Sequence, residues 1–346
     1  MKKALVNALK VVLPLAIGVW LIHEQYSDLS EQQRQELFGA FGAADGWMLL
    51  FASFIGWLAH VSRGWRWRYL LEPLGHRPGF WNCYHAVMIG YFVNMFIPRA
   101  GEASRAATLY RADGIPFEKG FGTIMAERVI DMVVLLGIAA LTLALQLDKL
   151  DLFRERIALF NSGLPGEVGS GGWGKWVLLA IGAVLVVIGY FIATRPALRA
   201  RALDVLRGFT QGLQTVFRTK KKALFLLHTV LIWAAYFGMF QIGFYCLPAT
   251  EGVPLAGVLA GFIAGAVGII LVQGGIGVYP AFVALIVGVY MAPPEGGGLL
   301  RPDALAMGWL LWAAQTLMII VLGGASLLLM SLKKVPAHDR RSNQVR

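Results

Sequence analysis

The sequence predicts an all-α protein, a polytopic bundle of transmembrane helices with two broken, re-entrant hairpins. Its 346 residues are 57% hydrophobic and only 15% charged, whereas soluble domains are about 45–50% apolar and about 25% charged. Apolar runs near the ~20 residues that span a bilayer recur along the chain. Two further apolar runs are interrupted by Gly, Pro or charged residues, which a lipid-facing helix does not tolerate.

Six segments are predicted as regular spans. In chain order they are 4–22, 46–62, 124–147, 175–193, 222–247 and 305–331. The first could pass for a signal peptide, but no small-residue cleavage site follows it, so we expect a retained helix. The apolar stretches at 80–97 and 255–292 are less regular.

The charge of the loops predicts the orientation of the chain. Residues 194–222 hold eight Lys or Arg against Asp204, and residues 63–79 hold four Arg against Glu72. Residues 23–45 hold five carboxylates against one arginine. By the positive-inside rule, we expect both termini and the two basic loops in the cytoplasm.

The number of spans between these loops predicts the two hairpins. Since 80–123 must begin and end on the cytoplasmic side, we expect a re-entrant hairpin there. Residues 255–273 and 276–292 form an even pair that enters from the other face, split by VQGGIGVYP (272–280). A pair of short helices with a Gly-rich turn is the alternative. Interrupted segments in corresponding places indicate a transporter's binding site and would make the halves inverted repeats.

We expect a single transmembrane domain over residues 1–346. Its first half is 1–193 and its second half is 222–332. Between them, 194–221 is predicted to be a cytoplasmic amphipathic linker that lies on an anionic leaflet. A basic tail, 333–346, follows the second half.

The first group of candidate site residues lies in NMFIPRAGEASR. Arg99, Glu102 and Arg105 are spaced i, i+3, i+6, so a helix that begins after the proline would place them near one face. Two arginines at a helix start suit an anion such as a phosphate. Asn94 is counted with this site, although satisfying the broken backbone is a structural alternative for it.

Further candidates lie in the next span and at the second break. Glu127 and Asp131 are spaced i, i+4 in an apolar helix, with Arg128 beside them. Function and simple pairing with loop arginines are both open for this cluster. Gln273 and Tyr279 flank the second break and could line the same cavity, with helix–helix hydrogen bonding as the alternative.

Several classes of function are not indicated. The net charge of +11 is explained by basic loops, and no nucleic-acid-binding module is present. Cys83 and Cys246 lie in apolar runs and are predicted to be small buried hydrophobes. Without HExxH, GxSxG or a P-loop, we expect no enzyme activity, no metal and no cofactor.

Four motifs resemble a known family. RGWRWRYLL (63–71), GYFVNMFIPRAGEASRAATLYR (90–111), AERVID (126–131) and GGIGVYPA (274–281) are similar to the membrane (flippase) domain of bacterial lysylphosphatidylglycerol synthase/flippases. The chain resembles a stand-alone member without the synthase domain. The resemblance implies a protein of the bacterial cytoplasmic (inner) membrane that moves a phospholipid, aminoacylated or not, between leaflets.

The sequence therefore favours a lipid flippase or scramblase. In that hypothesis Arg99 and Arg105 bind phosphate, while Glu102, Glu127 and Asp131 balance them and receive any ammonium. An ion-coupled carrier of a small soluble anion and a non-catalytic partner of a lipid-modifying enzyme are the alternatives. A homo-oligomer and a separate lipid-modifying enzyme are the protein partners left open.

Overall fold

A computed structural model of the chain describes residues 29–147, 219–292 and 300–333, residue 195 and scattered positions between 16 and 27. The predicted span 175–193 lies outside the described residues. So do most of the first span 4–22, of the linker 194–221 and of the tail 333–346. Across the described ranges the regular secondary structure is helical without a strand, which confirms the all-α prediction.

Nine helices of more than ten residues occur in the described ranges. They are α1 (Glu31–Ala43), α2 (Gly46–Leu71), α3 (Phe80–Phe96), α4 (Gly101–Asp113), α5 (Phe117–Ala144), α6 (Lys222–Gly243), α7 (Leu255–Leu271), α8 (Val278–Gly288) and α9 (Pro302–Leu332). A short helical turn over Pro248–Glu251 connects α6 to α7.

Helices α6 and α9 are the clearest membrane spans. Among the described residues, Lys222–Cys246 and Pro302–Leu332 are long and apolar enough to cross a bilayer. Helices α1 and α2, bent by 72° at their junction, would count as a third span if taken together. Helices α2 and α5 correspond to predicted spans but carry charged residues, which lower their hydropathy.

The acidic segment 23–45, predicted as a loop, contains helix α1. The backbone N–H of Gln33 donates to Ser30 Oγ at 3.2 Å, and the Gln33 side chain accepts from the Ser30 N–H at 3.0 Å. This capping box starts the helix. Leu37 is buried against the start of α9. The loop prediction missed this helix because its polar and acidic residues outnumber the apolar ones that pack, among them Leu37 and Phe41.

The long helices α2, α5, α6 and α9 run between two ends of the bundle. At the basic end, where α2 and α9 end, Lys221 lies 2.8 Å from Glu72, and Lys333 donates to Asn82 at 2.7 Å. At the opposite, acidic end, where α2 and α9 begin, the Asp45 N–H donates to the carbonyl oxygen of Cys246 at 2.8 Å.

A hydrophobic cluster closes each end of the bundle. The cluster at the basic end consists of Trp67, Leu71, Cys83, Ala86, Val87, Ala106, Leu109, Ile115 and Ile124. The cluster at the acidic end joins α1, α6, α7, α8 and α9, with Phe240, Val258, Val287 and Leu305 among its members. Both cysteines are free and buried in these clusters, which confirms their predicted packing.

Helices α3 and α4 form the first hairpin, which enters from the basic end and returns to it. Asn82 near the start of α3 donates to Asp113 at the end of α4 at 2.8 Å. A Cβ at Gly90 would lie 3.0 Å from the carbonyl oxygen of Gly101, and a Cβ at Gly101 would collide with that of Gly90. The close arms confirm the hairpin predicted over 80–123.

Helices α7 and α8 form the second hairpin, which enters from the acidic end. The break between them contains Gly274, Gly275 and Gly277 with φ values of 67°, 69° and 71°, which glycine adopts at little cost. A Cβ at Gly268 would lie 3.0 Å from Tyr279 Cα, so the arms are also close. The hairpins thus enter from opposite ends, as inverted repeats do.

Helix α9 packs against both hairpins through glycines. A Cβ at Gly323 would lie 3.0 Å from the carbonyl oxygen of Met88 in the first hairpin. A Cβ at Gly308 would lie 2.8 Å from Pro280 Cα in the second. Small residues let helix backbones approach closely in membranes, so α9 holds the two hairpins at fixed positions.

The tips of the hairpins meet inside the bundle. Trp312 Nε1 of α9 donates to the carbonyl of Gly274 in the second break at 2.7 Å, and α3 contacts the same break, Gln273–Gly275. The hairpin arms are about 16–26 Å long at 1.5 Å per residue, so they are shorter than the ~30 Å hydrocarbon layer. Both breaks therefore lie within the length of the long helices, with Gly275 and Gly277 of the second break buried and Arg99 of the first exposed.

Candidate functional site

Charged side chains gather where α2, α4 and α5 meet. We call this group the ionic network, and it consists of Arg63, Arg66, Glu102, Arg105, Glu127, Arg128 and Asp131. Asp131 lies halfway along α5, about 20 Å from each end at 1.5 Å per residue. Ionisable groups at such depth in a membrane-spanning helix indicate a functional site by default.

Two arginines of the ionic network come from a segment predicted as a cytoplasmic loop. Helix α2 continues to Leu71, so most of the predicted loop 63–79 is helix. Arg63 and Arg66 are 2% and 0% exposed. The prediction was wrong because the number of arginines does not distinguish a loop from a buried face. The sequence did contain one signal: Arg63, Arg66 and Trp67 are spaced i, i+3, i+4, which places them on one face of a helix. Trp67 is fully buried.

Asp131 holds both of these arginines. Arg63 Nη1 donates to Asp131 Oδ2 at 2.6 Å, and Arg66 Nη1 donates to Oδ1 at 2.7 Å. Arg66 Nη1 also donates to Thr229 Oγ1 of α6 at 3.2 Å. One carboxylate therefore joins α2 to α5, and Arg66 extends the connection to α6.

Glu127 connects the first hairpin to the same helices. Arg105 Nη2 of α4 lies 2.8 Å from Glu127 Oε2, and Arg66 Nε of α2 lies 3.7 Å from Oε1. The Arg105 guanidinium lies 4.0 Å from the centre of the Trp67 ring, a cation–π contact. Glu127 is fully buried, so its charge is balanced within the protein.

Glu102 and Arg128 form the exposed margin of the ionic network. Arg128 Nε lies 3.4 Å from Glu102 Oε1, and its Nη1 lies 3.9 Å from Asp131 Oδ2. These distances exceed the 2.7–2.9 Å of a typical charge-assisted hydrogen bond. The side chains of Glu102 and Arg128 are 20% and 36% exposed. Arg128 is therefore the least tightly held cation of the network.

Two tyrosines extend the polar contacts from Arg63 toward the acidic end. Arg63 Nη2 donates to the Tyr236 hydroxyl at 3.5 Å, and the Tyr236 and Tyr91 hydroxyls are 3.2 Å apart. The His60 ring packs against Tyr91, with centroids 4.6 Å apart. Sequence reasoning missed these residues, because a tyrosine or a lone histidine in an apolar helix gives no distinctive signal.

Arg99 lies at the tip of the first hairpin, apart from the ionic network. Helix α4 begins at Gly101, and Arg99 precedes it with a φ of 61°, in the left-handed region that non-glycine residues rarely adopt. The predicted common face of Arg99, Glu102 and Arg105 was wrong for Arg99, because the chain reverses direction there. Arg99 is exposed and makes no ion pair with the described residues.

Asn94 satisfies the broken backbone of the first hairpin. Its Oδ1 accepts a hydrogen bond from the Gly101 N–H at 2.7 Å. That N–H is one of the donors that a helix start leaves without a partner. The structural alternative for Asn94 is thus observed, at a position that also faces the ionic network.

The second break contributes less to this region than predicted. Tyr279 is 5% exposed and packs against Gly265 and Gly268 inside the second hairpin. The backbone of Gln273 lies at the tip that α3 contacts, and its side chain lies outside what the structure describes. Tyr279 is therefore a packing residue of the second hairpin in this conformation.

A small cavity lies between the first hairpin and α5. Its volume is about 10 Å³, and its lining consists of Val87, Gly90, Tyr91, Asn94, Gly101, Glu102, Arg105 and Arg128. Four predicted site residues are thereby brought together. A cavity of this size holds about one water molecule, so a larger ligand requires α4 to move away from α5.

The charges of the ionic network do not cancel. It contains four arginines and three carboxylates, and each carboxylate lies within 4 Å of an arginine. The sequence led us to expect that Glu127 and Asp131 receive an ammonium. In the structure, arginines already lie against both carboxylates. The surplus positive charge favours an anion in this region.

The opposed hairpins and the ionic network define the class of the protein as a polytopic helical membrane protein with a charged centre. The family model described as Lysylphosphatidylglycerol synthase TM region matches residues 7–324. The chain belongs to this family, as its motifs predicted.

Two relatives share shorter segments with the chain. Glycosyltransferase AglD of Haloferax volcanii is 32% identical over 109 residues, which are 31% of this chain and 18% of the relative. UPF0104 membrane protein MJ1595 of Methanocaldococcus jannaschii is 35% identical over 74 residues, 20% of this chain and 22% of the relative. The chain thus aligns with about a fifth of each relative's length. No solved structure matches it.

Proposed function

We propose that the protein is a lipid transporter of the flippase or scramblase type, which moves a phospholipid or lipid-linked polar head group between leaflets. The observation that carries the proposal is the ionic network beside the first broken hairpin, where five of the seven charged side chains are buried. A charge in the middle of a membrane helix costs about 2.5–3.5 kcal/mol or more. Charged side chains that carry this cost are expected where a charged head group crosses the membrane.

A lateral groove supports a lipid over a soluble substrate. Helices α2 and α9 line an apolar groove of about 960 Å³, with Trp47, Phe51, Phe54, Leu310 and Leu317 among its walls. Its lining is almost entirely apolar, as acyl chains require. A carrier of a small soluble anion needs a closed polar cavity, which this apolar groove does not provide.

The proposal includes the setting of the protein. It lies in a bacterial cytoplasmic membrane with both termini in the cytoplasm, because lysines and arginines gather at the basic end. It is not an enzyme and uses no metal or cofactor. Its substrate comes from the bilayer, and a second copy of the chain or a separate lipid-modifying enzyme are the protein partners to test.

Lipid translocation in liposomes tests this function. The purified chain is reconstituted with head-group-labelled phospholipids, one of them aminoacylated, and a membrane-impermeant quencher reports label that leaves the inner leaflet. We expect movement of at least one lipid. Arg99→Ala should slow it by at least about tenfold, because an exposed tip cation loses a phosphate contact worth about 1.5–3 kcal/mol.

The matched control is Arg77→Ala, which removes an exposed arginine of the α2–α3 connection. It should leave the rate of translocation unchanged. If a folded, reconstituted wild-type chain moves no lipid in the panel, the proposed function is wrong. A labelled soluble anion carried by the same liposomes would then support the carrier hypothesis.

A further inference from the structure

We propose that the ionic network selects head groups of net negative charge, by binding a phosphate between Arg105 and Arg128 in place of Glu102. The inference rests on the proposed function and specifies the class of lipid. It departs from the aminoacylated lipid that the family description suggests, because lysylation reverses the charge of phosphatidylglycerol.

Arg105 is the first part of the proposed phosphate site. It is 3% exposed and lines the small cavity beside Tyr91 and Asn94. Its Nη2 lies 2.8 Å from Glu127 Oε2, and none of its three guanidinium nitrogens makes a hydrogen bond among the described residues. Buried N–H groups are normally paired, and a guanidinium offers adjacent N–H groups that match two phosphate oxygens.

Arg128 is the second part of the site, since it lines the same cavity from α5. Its contacts with Glu102 and Asp131 are long, at 3.4 Å and 3.9 Å, and its Nε makes no hydrogen bond in the described part of the chain. Exposed ion pairs are weak, whereas hydrogen bonds from arginine to phosphate are strong. A phosphate can therefore replace Glu102 as the partner of Arg128.

The buried carboxylates of the ionic network already face guanidinium groups. Asp131 accepts hydrogen bonds from Arg63 and Arg66, and Glu127 lies between Arg66 and Arg105. Neither Glu127 oxygen makes a hydrogen bond within the described residues, but guanidinium groups lie on both sides of this carboxylate. An aminoacylated head group would bring like charge to a region that is already positive, and like charges repel most where water is scarce.

Movement of Glu102 also provides the space that the phosphate needs. Glu102 lies on the second residue of α4, next to the hairpin tip. Its displacement removes the ion pair nearest the start of α4 and leaves Arg105–Glu127 as the remaining described ion pair between α4 and α5, so the cavity of about 10 Å³ can enlarge at the hairpin tip. Binding of the anion and opening of the first hairpin are thus coupled.

Binding measurements on the detergent-purified full chain test the inference. A fluorescent short-chain phosphatidylglycerol serves as the probe. The competitors are short-chain phosphatidylglycerol, phosphatidic acid, phosphatidylcholine, lysyl-phosphatidylglycerol and inorganic phosphate. We expect the two anionic lipids to bind at least about tenfold more tightly than phosphatidylcholine or the lysyl lipid, a difference of about 1.4 kcal/mol.

Three variants connect this preference to the site. Arg128→Gln should remove the preference for anionic lipids, and Glu102→Gln should strengthen their binding, because it removes the competing carboxylate. Arg77→Gln, an exposed arginine outside the network, should change neither. Arg128 and Glu102 are partly exposed, so size-exclusion profiles and thermal unfolding should show that these variants fold.

The outcomes separate this inference from the proposed function. Equal or tighter binding of the lysyl lipid, or a preference that survives Arg128→Gln, overturns the inference even where lipids are translocated. A preference for anionic lipids without any translocation supports the inference and contradicts the transport function. Inorganic phosphate that competes as strongly as the lipids would show that the phosphate comes from a soluble anion, and would overturn the assignment to a lipid head group.

Discussion

Asp131 shows how a single carboxylate is stabilised in the middle of a long membrane helix. Its two oxygens accept from Arg63 and Arg66 at 2.6 Å and 2.7 Å. A buried ion pair of this kind adds little stability compared with apolar side chains of similar volume, because both charged groups lose their hydration. Removal of one partner is strongly destabilising, however, since it leaves a buried charge without a counter-charge.

Asp131→Asn should therefore destabilise the protein by about 3–5 kcal/mol, as expected when a buried pair is broken. The amide keeps the size of the side chain but leaves Arg63 and Arg66 with less compensating charge. Thermal unfolding in detergent and the monodisperse fraction after purification measure the effect.

Glu118→Gln is the matched control for Asp131→Asn. Glu118 lies on the same helix but is exposed near its start, so its change should shift stability by less than about 0.5 kcal/mol. Equal unfolding temperatures for the two variants would show that Asp131 contributes no more to stability than a surface carboxylate.

The residues of the ionic network differ in how well the sequence predicts them. Glu127, Arg128 and Asp131 interrupt an apolar run, so their charges stand out at once. Arg63 and Arg66 belong to a basic segment next to a predicted span, where arginines ordinarily mark a cytoplasmic loop. Contacts between distant segments decide their burial, and local sequence patterns do not contain that information.

At the scale of elements, the first hairpin depends on two glycines that face each other. A side chain at Gly101 would enter the space of the Gly90 carbonyl and of the Asn94 amide, which caps α4. The sequence predicts the hairpin itself, because the orientation of the flanking loops requires an even number of crossings. The start of α4 was placed too early, directly after Pro98, because the left-handed backbone at Arg99 delays the helix to Gly101.

Gly101→Ala should destabilise the protein by about 1–3 kcal/mol, the typical effect of an overpacked interior. It should also separate the arms of the hairpin and remove the hydrogen bond from the Gly101 N–H to Asn94. The unfolding temperature in detergent and the rate of lipid translocation in liposomes are the two readouts.

The control is Gly122→Ala in α5, where a new Cβ would meet no atom within 4 Å. Alanine is favoured over glycine in a helix by about 1 kcal/mol, so this variant should be neutral or slightly stabilised. A Gly101→Ala protein as stable as Gly122→Ala would mean that the arms of the hairpin are not in close contact.

At the scale of the whole molecule, two hairpins enter from opposite ends and meet beside α9. Loop charge and the number of spans predict their directions. They do not predict that α3 contacts the break Gln273–Gly275 or that Trp312 donates to Gly274. These contacts join residues far apart in the chain, and they place the second break against α3 and α9.

The proposed transport of a head group would require the two tips to separate and close in turn, as in transporters built on opposed broken helices. Cysteines at Phe96 and Gln273, in a chain whose Cys83 and Cys246 are replaced by alanine, should be linked by a short bis(methanethiosulfonate) reagent, which forms a reducible disulfide with each cysteine and releases methanesulfinate. The link should stop lipid translocation, and its reduction should restore it. The control pair joins Phe96→Cys to Trp47→Cys, an 80% exposed residue at the acidic end, and should form no link. Translocation that continues through the linked tips would show that the hairpins do not gate the path, even where the contact itself is present.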